Sequence, residues 1–164
     1  MNCFYYVPVR KFAIALVAAL CWLPSSAAAI PMTGAEYGNR IIFDLSLQRV
    51  WLINESEGWI KSYLVSGSRF DYHHRPGIYK VFSKSRTTTS YLGNATMNYM
   101  VRFDRGKTAN IGFHDIPKLK DGTFAQTEDQ LGTPLSDGCV RQRLSNAKAL
   151  YEFAQVGTAV IVIP

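Results

Sequence analysis

The sequence predicts a mainly β domain, a β-sandwich or half-open barrel, with one helix near its C-terminal end. Several short segments alternate between apolar and polar residues, which is the period of a strand with one buried face. Strand-favouring Tyr, Phe, Val, Ile and Thr are abundant, and seven prolines disfavour a helix bundle. Only the segment Ser145–Ala154 has the apolar spacing of an amphipathic helix.

Length and composition indicate one folded domain. The chain has 164 residues, of which 48% are hydrophobic and 18% charged, so it can bury a core and lacks the composition of a disordered protein. No internal repeat is visible, which excludes solenoids and propellers. The net charge of +6 is accompanied by no nucleic-acid-binding motif, so we expect no nucleic-acid partner.

Three segments in the first half of the domain predict a β-meander: Arg40–Leu47, Arg49–Asn54 and Trp59–Val65. In the first of them every second residue is apolar, which is expected to place four side chains on one face: Ile41, Phe43, Leu45 and Leu47. Polar residues and a glycine separate the second segment from the third, as is typical of a turn.

Four later segments are also predicted to be strands: Ile78–Ser83, Met97–Asp104, Thr108–His114 and Thr158–Ile163. One face of the second is expected to hold Met97, Tyr99, Val101 and Phe103. The polar stretch Thr87–Asn94 is predicted to be a loop. Asp115–Gly138 is predicted to be a second loop, and its length is typical of a functional segment. Ser145 is expected to cap the helix and Gly157 to stop it.

Residues 1–29 have the three parts of a secretory signal peptide. Arg10 and Lys11 precede the apolar run Phe12–Leu23, and the small residues Ala27–Ala29 follow it. The run is too short for a membrane-spanning helix. We therefore expect cleavage after Ala29 and export of residues 30–164 to the periplasm, the cell wall or the extracellular space, without a permanent membrane anchor. An uncleaved anchor is the alternative.

Cleavage at this position leaves Cys139 as the single cysteine of the domain, because Cys3 and Cys21 belong to the signal peptide. A lone thiol in an exported protein is a buried apolar residue, an intermolecular link or a reactive group. Its neighbours Asp137, Gly138 and Arg141 are more typical of a loop than of a core. The glycine permits a sharp turn, and a nearby cation favours the thiolate.

A cysteine nucleophile needs a base, and the domain offers three histidines, His73, His74 and His114. His114 ends a predicted strand at the start of the long loop, so the loop can bring it to Cys139. His73 and His74 are interpreted as part of a solvated polar loop, because adjacent residues make poor metal co-ligands and no third ligand is evident. We therefore expect no metal site.

Several stretches resemble the catalytic domain of bacterial L,D-transpeptidases, the YkuD-like family with a cysteine nucleophile. They are Ile111-Gly112-Phe113-His114, Ser136-Asp137-Gly138-Cys139-Val140-Arg141, the helix that follows and the final strand. Upstream, the segments around Gln48, Val65-Ser66-Gly67 and Pro76-Gly77-Ile78-Tyr79 are similar as well. The resemblance covers nearly all of residues 38–164.

The resemblance implies an enzyme of peptidoglycan biosynthesis that cross-links stem peptides 3→3 and releases the terminal D-Ala. It assigns Cys139 as nucleophile and His114 as base. Ser136, Asp137 and Gly138 would shape the turn and the oxyanion site, and Arg141 would orient substrate; Asp115 is expected to support the charged imidazole and help to orient substrate. No metal or organic cofactor is required, and carbapenem-type compounds are expected to acylate the thiol.

One departure from the family is Asp137, because many members have a histidine there. An acid beside the thiol raises the pKa of that thiol, unless its carboxylate points away or pairs with Arg141. Two alternatives therefore stay open: an L,D-carboxypeptidase, with water as acceptor, and a catalytically weak cell-wall-binding module. A sortase-like or papain-like site fits less well, because the spacing and order of cysteine, histidine and arginine differ.

Overall fold

The computed structural model describes residues 35–164, in which ten strands form two sheets. The strands are β1 Arg40–Asp44, β2 Arg49–Asn54, β3 Trp59–Leu64, β4 Gly77–Lys80, β5 Ser83–Thr89, β6 Ala95–Arg105, β7 Asn110–Asp115, β8 Lys118–Leu119, β9 Val140–Gln142 and β10 Ala159–Ile163. The helix α1 spans Leu144–Phe153, and short 3₁₀ turns occur at Ala35–Tyr37 and Glu128–Gln130. The mainly β class with one C-terminal-region helix is confirmed.

The first sheet, sheet A, has the strand order β3-β2-β1-β10-β4. Its central strand β1 pairs antiparallel with β2 and parallel with β10, so that Ile42 lies between Trp51 and Ile161. Both faces of β1 are buried, because Ile41 and Phe43 belong to the main core whereas Ile42 belongs to a second apolar cluster. This explains why β1 has an apolar run where a one-sided strand would alternate.

The second sheet, sheet B, has the order β5-β6-β7-β9, with β8 paired to β6. Its inner face contributes five buried side chains to the core between the sheets: Val101, Phe103, Ile111, Phe113 and Val140. The rings of Phe103 and Phe113 stack at 4.7 Å between centroids. Helix α1 contacts β6 and β7, and its Ala147 and Leu150 are buried. The parallel pairing of β7 with β9 brings the two ends of the long loop together.

The structure corrects several sequence predictions. Residues 87–89, predicted to be loop, belong to β5, because consecutive threonines are good strand formers even when polar. Strand β9 was not predicted. The helix begins one residue earlier than predicted, and Ser145 is not its cap: the cap position is Arg143, whose side chain makes no capping hydrogen bond. Leu47 is exposed, because β1 ends at Asp44 and the chain turns there.

Strand β6 does not keep one alternation along its length. Tyr99 has a φ of 56°, in the left-handed region, and the pattern of buried faces shifts at this residue. Val101 and Phe103 enter the core as predicted, whereas Met97 lines a cleft on the opposite face together with Met100. After the shift, the second half of β6 presents Met100 and Arg102 to the cleft.

The predicted signal peptide, residues 1–29, lies outside the described residues. Within residues 35–164 no helix combines the length and the apolar character that a membrane crossing needs. Cys139 is the free cysteine of this part of the chain.

Candidate active site

A cleft of about 860 Å³ lies on the outer face of sheet B, opposite the core. Its walls include Cys139, His114, Arg102 and Arg141. The β5–β6 hairpin and the polar loop around His73 also contribute to the walls. The two residues predicted as nucleophile and base therefore lie in the same cleft.

Strand register explains this convergence. Arg102 on β6 is opposite Gly112 on β7, and His114 on β7 is opposite Arg141 on β9. Cys139 directly precedes β9, so it lies beside Gly112 on the same face. Because side chains alternate along a strand, these residues face the cleft while their immediate neighbours Phe113 and Val140 face the core.

Gly112 allows β6 and β7 to approach closely at the floor of the cleft. A Cβ atom at this position would lie 2.3 Å from the carbonyl oxygen of Val101, which is far inside van der Waals contact. A β-bulge follows on β6, between Arg102 and Asp104. Gly112 also places no side chain between Arg102 and Cys139.

The turn before Cys139 is held by its own side chains. Gly138 has a φ of +152°, a conformation that L side chains rarely adopt. The hydroxyl of Ser136 donates to the carbonyl of Cys139 and accepts from the N–H of Gly138 at 3.2 Å. Ser136 and Gly138 therefore shape the turn, and the N–H of Gly138 is engaged within it. The oxyanion role predicted for this turn stays a prediction.

The loop after β3 holds the same turn from outside. The N–H and carbonyl of Ser66 bond to Arg141 at 2.8 and 2.9 Å, and the N–H of Ser136 donates to the carbonyl of Gly67 at 3.0 Å. The hydroxyl of Ser66 donates to the carbonyl of Thr133 at 2.6 Å. These bonds connect the end of sheet A to the turn that carries the thiol.

The Cys139 thiol is partly buried in the floor of the cleft, 3.8 Å from the carbonyl oxygen of Asn110. Burial raises the pKa of this thiol, although the N–H of Gly112 and the charges of Arg102 and Arg141 lower it. The cations near the thiol do not overcome its desolvation. The resting group is therefore a neutral thiol at neutral pH.

His114 is buried and held in one tautomer. Its Nδ1 lies 2.5 Å from the carbonyl oxygen of Asp115, and because a carbonyl only accepts, Nδ1 carries the proton. Nε2 is then the acceptor of the ring. Burial, together with the charges of Arg141 and Arg102, lowers the pKa of His114 to about 4, and the Asp115 carbonyl acts in the opposite direction. The imidazole is therefore neutral at neutral pH.

Asp115 contacts His114 through its main chain and not through its carboxylate. The carboxylate accepts from the N–H and the side-chain amide of Asn98, at 2.6 and 2.8 Å. Burial raises the pKa of Asp115, against the lowering effect of these hydrogen bonds. Asp115 does not line the cleft. Its contact with the site is the main-chain carbonyl that orients the imidazole of His114.

The Asp137 carboxylate pairs with Arg69 at 2.5 Å, and both side chains are more than half exposed. It does not pair with Arg141, whose guanidinium donates to Gln126 Oε1 at 3.0 Å and to the carbonyl of Leu135 at 3.4 Å. Arg141 therefore braces the loop that leads to Cys139. The acid that replaces the family's histidine is directed toward solvent and Arg69.

Sequence reasoning missed Arg102, because nothing in a single sequence marks a strand arginine as facing a cleft. It also interpreted His73 and His74 as solvated, which the structure corrects. His73 lines the cleft, with Nε2 3.5 Å from where a Cβ of residue 138 would lie. His74 is buried between the rings of Phe43 and Phe103.

Burial and the neighbouring His73 lower the pKa of His74 to about 4, and a weak contact with the Gly138 main chain opposes them. No group of three or more His, Cys, Asp or Glu side chains that could hold a metal ion occurs within residues 35–164. A buried neutral thiol, a neutral imidazole of fixed tautomer and two arginines are an arrangement suited to acyl transfer through a thioester.

The sequence profile of the L,D-transpeptidase catalytic domain matches residues 38–162. The chain belongs to this family, which confirms the resemblance found in the sequence. No curated protein sequence matches the chain significantly.

Solved structures share the fold. An L,D-transpeptidase from Mycobacterium smegmatis has a TM-score of 0.62 at 16% identity, covering 77% of this chain and 58% of its own. One from Stackebrandtia nassauensis has 0.59 at 24% identity, covering 77% and 56%. L,D-transpeptidase 3 from Mycobacterium tuberculosis, solved with a faropenem-derived adduct, has 0.61 at 18% identity, covering 77% and 60%. The chain thus spans less than two thirds of these proteins.

Proposed function

We propose that this protein is an exported peptidoglycan L,D-transpeptidase that forms 3→3 cross-links through a thioacyl intermediate on Cys139. The observation that carries the proposal is that Cys139 and His114 line the same cleft on one face of sheet B, with Nε2 as the acceptor nitrogen of the imidazole. Family membership supports the reaction class, and stem peptides are the proposed substrates.

The first half-reaction starts from a neutral thiol and a neutral imidazole. As Sγ attacks the carbonyl at the L-centre of the third stem residue, Nε2 of His114 takes the thiol proton. The tetrahedral intermediate collapses, the peptide bond breaks, and the imidazolium returns the proton to the departing amine of D-Ala. The Asp115 carbonyl keeps Nδ1–H oriented throughout. We expect the acid limb of kcat/KM near pH 4, because burial lowers the pKa of His114 to about 4.

In the second half-reaction, a side-chain amine at a D-centre of another stem attacks the thioester. His114 accepts the amine proton and delivers it to the departing thiolate, which restores both groups. Ser136 and Gly138 keep the turn in place, and Arg141 braces the loop through Gln126 and Leu135. If water replaces the amine, the same residues perform L,D-carboxypeptidase chemistry.

A second candidate is a cell-wall-binding module with a weakly reactive thiol. The observation that favours it is the burial of Cys139, which raises the pKa of the thiol and leaves little thiolate at neutral pH. A low resting fraction of thiolate does not prevent catalysis if His114 acts as a base, because the thiolate then forms only as the sulfur attacks.

The test is incubation of the purified protein with disaccharide-tetrapeptide, followed by mass spectrometry of the products. We expect a dimer that lacks one D-Ala, and no product with the Cys139→Ala variant. Monomer that lacks D-Ala would indicate the carboxypeptidase. Absence of turnover on tetrapeptides with different third residues would instead favour the binding module.

Acylation by carbapenem-type inhibitors is part of the proposal, supported by the faropenem-derived adduct on a structural relative. We expect intact-protein mass spectrometry to show one adduct on the wild type and none on Cys139→Ala. An adduct on both would place the reactive group elsewhere.

A further inference from the structure

Arg102 is a cation in the cleft that has no carboxylate partner among residues 35–164. Its Nη1 donates to Ser85 Oγ at 3.1 Å and its Nη2 to Thr88 Oγ1 at 3.2 Å. The four ion pairs of this part of the chain involve other residues. Two neutral hydroxyls orient the guanidinium without neutralising it, and a guanidinium has five N–H donors, so three remain for a ligand.

The strand register places Arg102 on the face of sheet B that carries the thiol, and the two hydroxyls that hold its guanidinium belong to β5. Arg102 and Cys139 flank Gly112 on one face of sheet B, about two strand spacings apart, which is roughly 10 Å between backbones. Gly112 places no side chain between them, and both residues line the cleft. The charge of Arg102 is felt at the reacting groups, because it lowers the pKa of both Cys139 and His114.

Arg141, the other arginine of the cleft, makes its hydrogen bonds to different parts of the chain. Its Nη1 bonds to Gln126 Oε1 and to the Leu135 carbonyl within the loop that precedes the nucleophile. Arg102 is instead held from β5, outside that loop, and its remaining donors are not used by described residues. Both arginines keep N–H donors that no described residue uses, but of the two it is Arg141 that holds the loop of the nucleophile, and Arg102 has no part in that loop.

We propose that Arg102 binds the terminal carboxylate of the leaving residue and so makes the cleft selective for donors that end one residue beyond the scissile carbonyl. The inference rests on the proposed function. The leaving group of that reaction is an amino acid whose carboxylate is one carbon from the departing nitrogen, so the anion and the reacting carbonyl are close neighbours. A planar guanidinium matches a carboxylate with two parallel hydrogen bonds.

The test compares two tetrapeptide donors, one ending in a free carboxylate and one in a carboxamide. Release of the last residue is followed for the wild type, Arg102→Gln and Arg102→Lys. The matched control is Arg86→Gln, which removes an exposed arginine from the neighbouring strand β5. We expect the wild type and the control to prefer the carboxylate by roughly 10- to 100-fold in kcat/KM.

Arg102→Gln is expected to lower kcat/KM for the carboxylate donor to about the value for the amide donor, so that the preference disappears. A change common to both donors reports the effect of the Arg102 charge on Cys139 and His114. Arg102→Lys is expected to retain part of the preference, because it keeps the charge and loses the fork. An equal loss on both donors in Arg102→Gln would overturn the assignment. Such a loss would mean that Arg102 acts on the thiol or the fold, which circular dichroism distinguishes.

Binding without turnover separates this inference from the proposed reaction. Both peptides are titrated by calorimetry into Cys139→Ala and into the double variant with Arg102→Gln. Tighter binding of the carboxylate peptide that disappears in the double variant supports the role of Arg102, even where the wild type catalyses nothing and the proposed reaction fails. Equal binding of both peptides to Cys139→Ala overturns it.

Discussion

Neighbouring residues of β7 belong to two different chemical settings. Phe113 faces the core between the sheets, whereas His114 lines the cleft. The same division holds on β6, where Val101 and Phe103 are core residues and Arg102 lines the cleft. The inner face of each strand buries apolar surface. The outer face supplies the Arg102 charge, the His114 imidazole and part of the wall of the cleft.

On one strand, therefore, the residues that stabilise the fold and the residues that line the cleft lie on opposite faces. Because side chains alternate, a substitution on the outer face changes the reacting groups while the core contacts of its neighbours persist. A substitution on the inner face has the opposite consequence. Variants on the two faces should therefore separate into loss of activity and loss of stability.

The largest expected effect is on the outer face, in His114→Ala. Loss of the base is expected to lower kcat/KM about 100- to 10,000-fold, because the group proposed to accept the thiol proton is removed. Stability at pH 7.5, from urea unfolding, is expected to fall by about 1–2 kcal/mol, because the buried imidazole leaves a cavity. Activity within about twofold of the wild type would show that His114 is not the base.

On the inner face, Phe113→Ala is expected to cost about 3–5 kcal/mol of unfolding free energy, because it leaves a cavity between Phe43 and Phe103. The fraction of molecules that stays folded should keep near-wild-type kcat. A stable but inactive Phe113→Ala would contradict the separation of the two faces. Urea unfolding and active-site titration of the thiol measure the two properties independently.

Acid is expected to lower the free energy of unfolding, because each face of sheet B has a buried histidine that must take up a proton. Burial lowers the pKa of His114 and of His74 to about 4, below the ordinary 6.5, so the unfolded chain binds more protons between these values. This stability is complete above pH 6.5 and is lost as the pH falls toward 4, by up to about 3 kcal/mol for each histidine. Asp115, whose pKa burial raises, partly opposes the loss.

A variant can separate the contributions of His74 and His114 to the fall of unfolding free energy with pH. His74→Phe fills the same aromatic site without a titrating group and is expected to halve the fall in unfolding free energy between pH 7.5 and pH 5. Urea midpoints at several pH values measure it. Identical slopes for the variant and the wild type would mean that folding does not lower the pKa of His74.

The smallest expected effect is at Gly112→Ala, where the Cβ would meet the carbonyl of Val101. We expect a loss of about 1–3 kcal/mol and a lower kcat, because β6 and β7 must separate under the cleft. Gly77→Ala on β4 is the matched control, since its nearest contact would be an ordinary 3.6 Å to the Tyr79 ring. Equal losses of stability at both glycines would show that the close approach of β6 and β7 does not depend on Gly112.

The sequence predicts the parts of the fold that local pattern determines. Strand β2 has the predicted bounds, and β1, β3, β6, β7 and β10 lie within a few residues of theirs. Strand β5 was missed because its threonines are polar yet favour strands, and β9 because three residues carry no periodicity. The parallel pairing of β1 with β10 joins distant segments, which no local pattern encodes.

The site divides in the same way. The sequence nominates Cys139 and His114 because the lone thiol has loop-like neighbours, the histidine ends a predicted strand before the long loop, and both lie in stretches that resemble the family. It cannot foresee that Asp137 turns to Arg69, that the Asp115 main chain holds the imidazole, or that Arg102 shares a face with the thiol. Those contacts depend on register across strands and on a loop from the other sheet.

The bonds between Ser66 and Arg141 join the two sheets beside the thiol. Separation of the sheets would break these bonds, and with them the shape of the turn that carries Cys139. Denaturation and inactivation would then be one cooperative event, and the amide protons of Ser66 and Arg141 would exchange with solvent only when the whole domain opens. In this domain, a reactive thiol reports an intact fold.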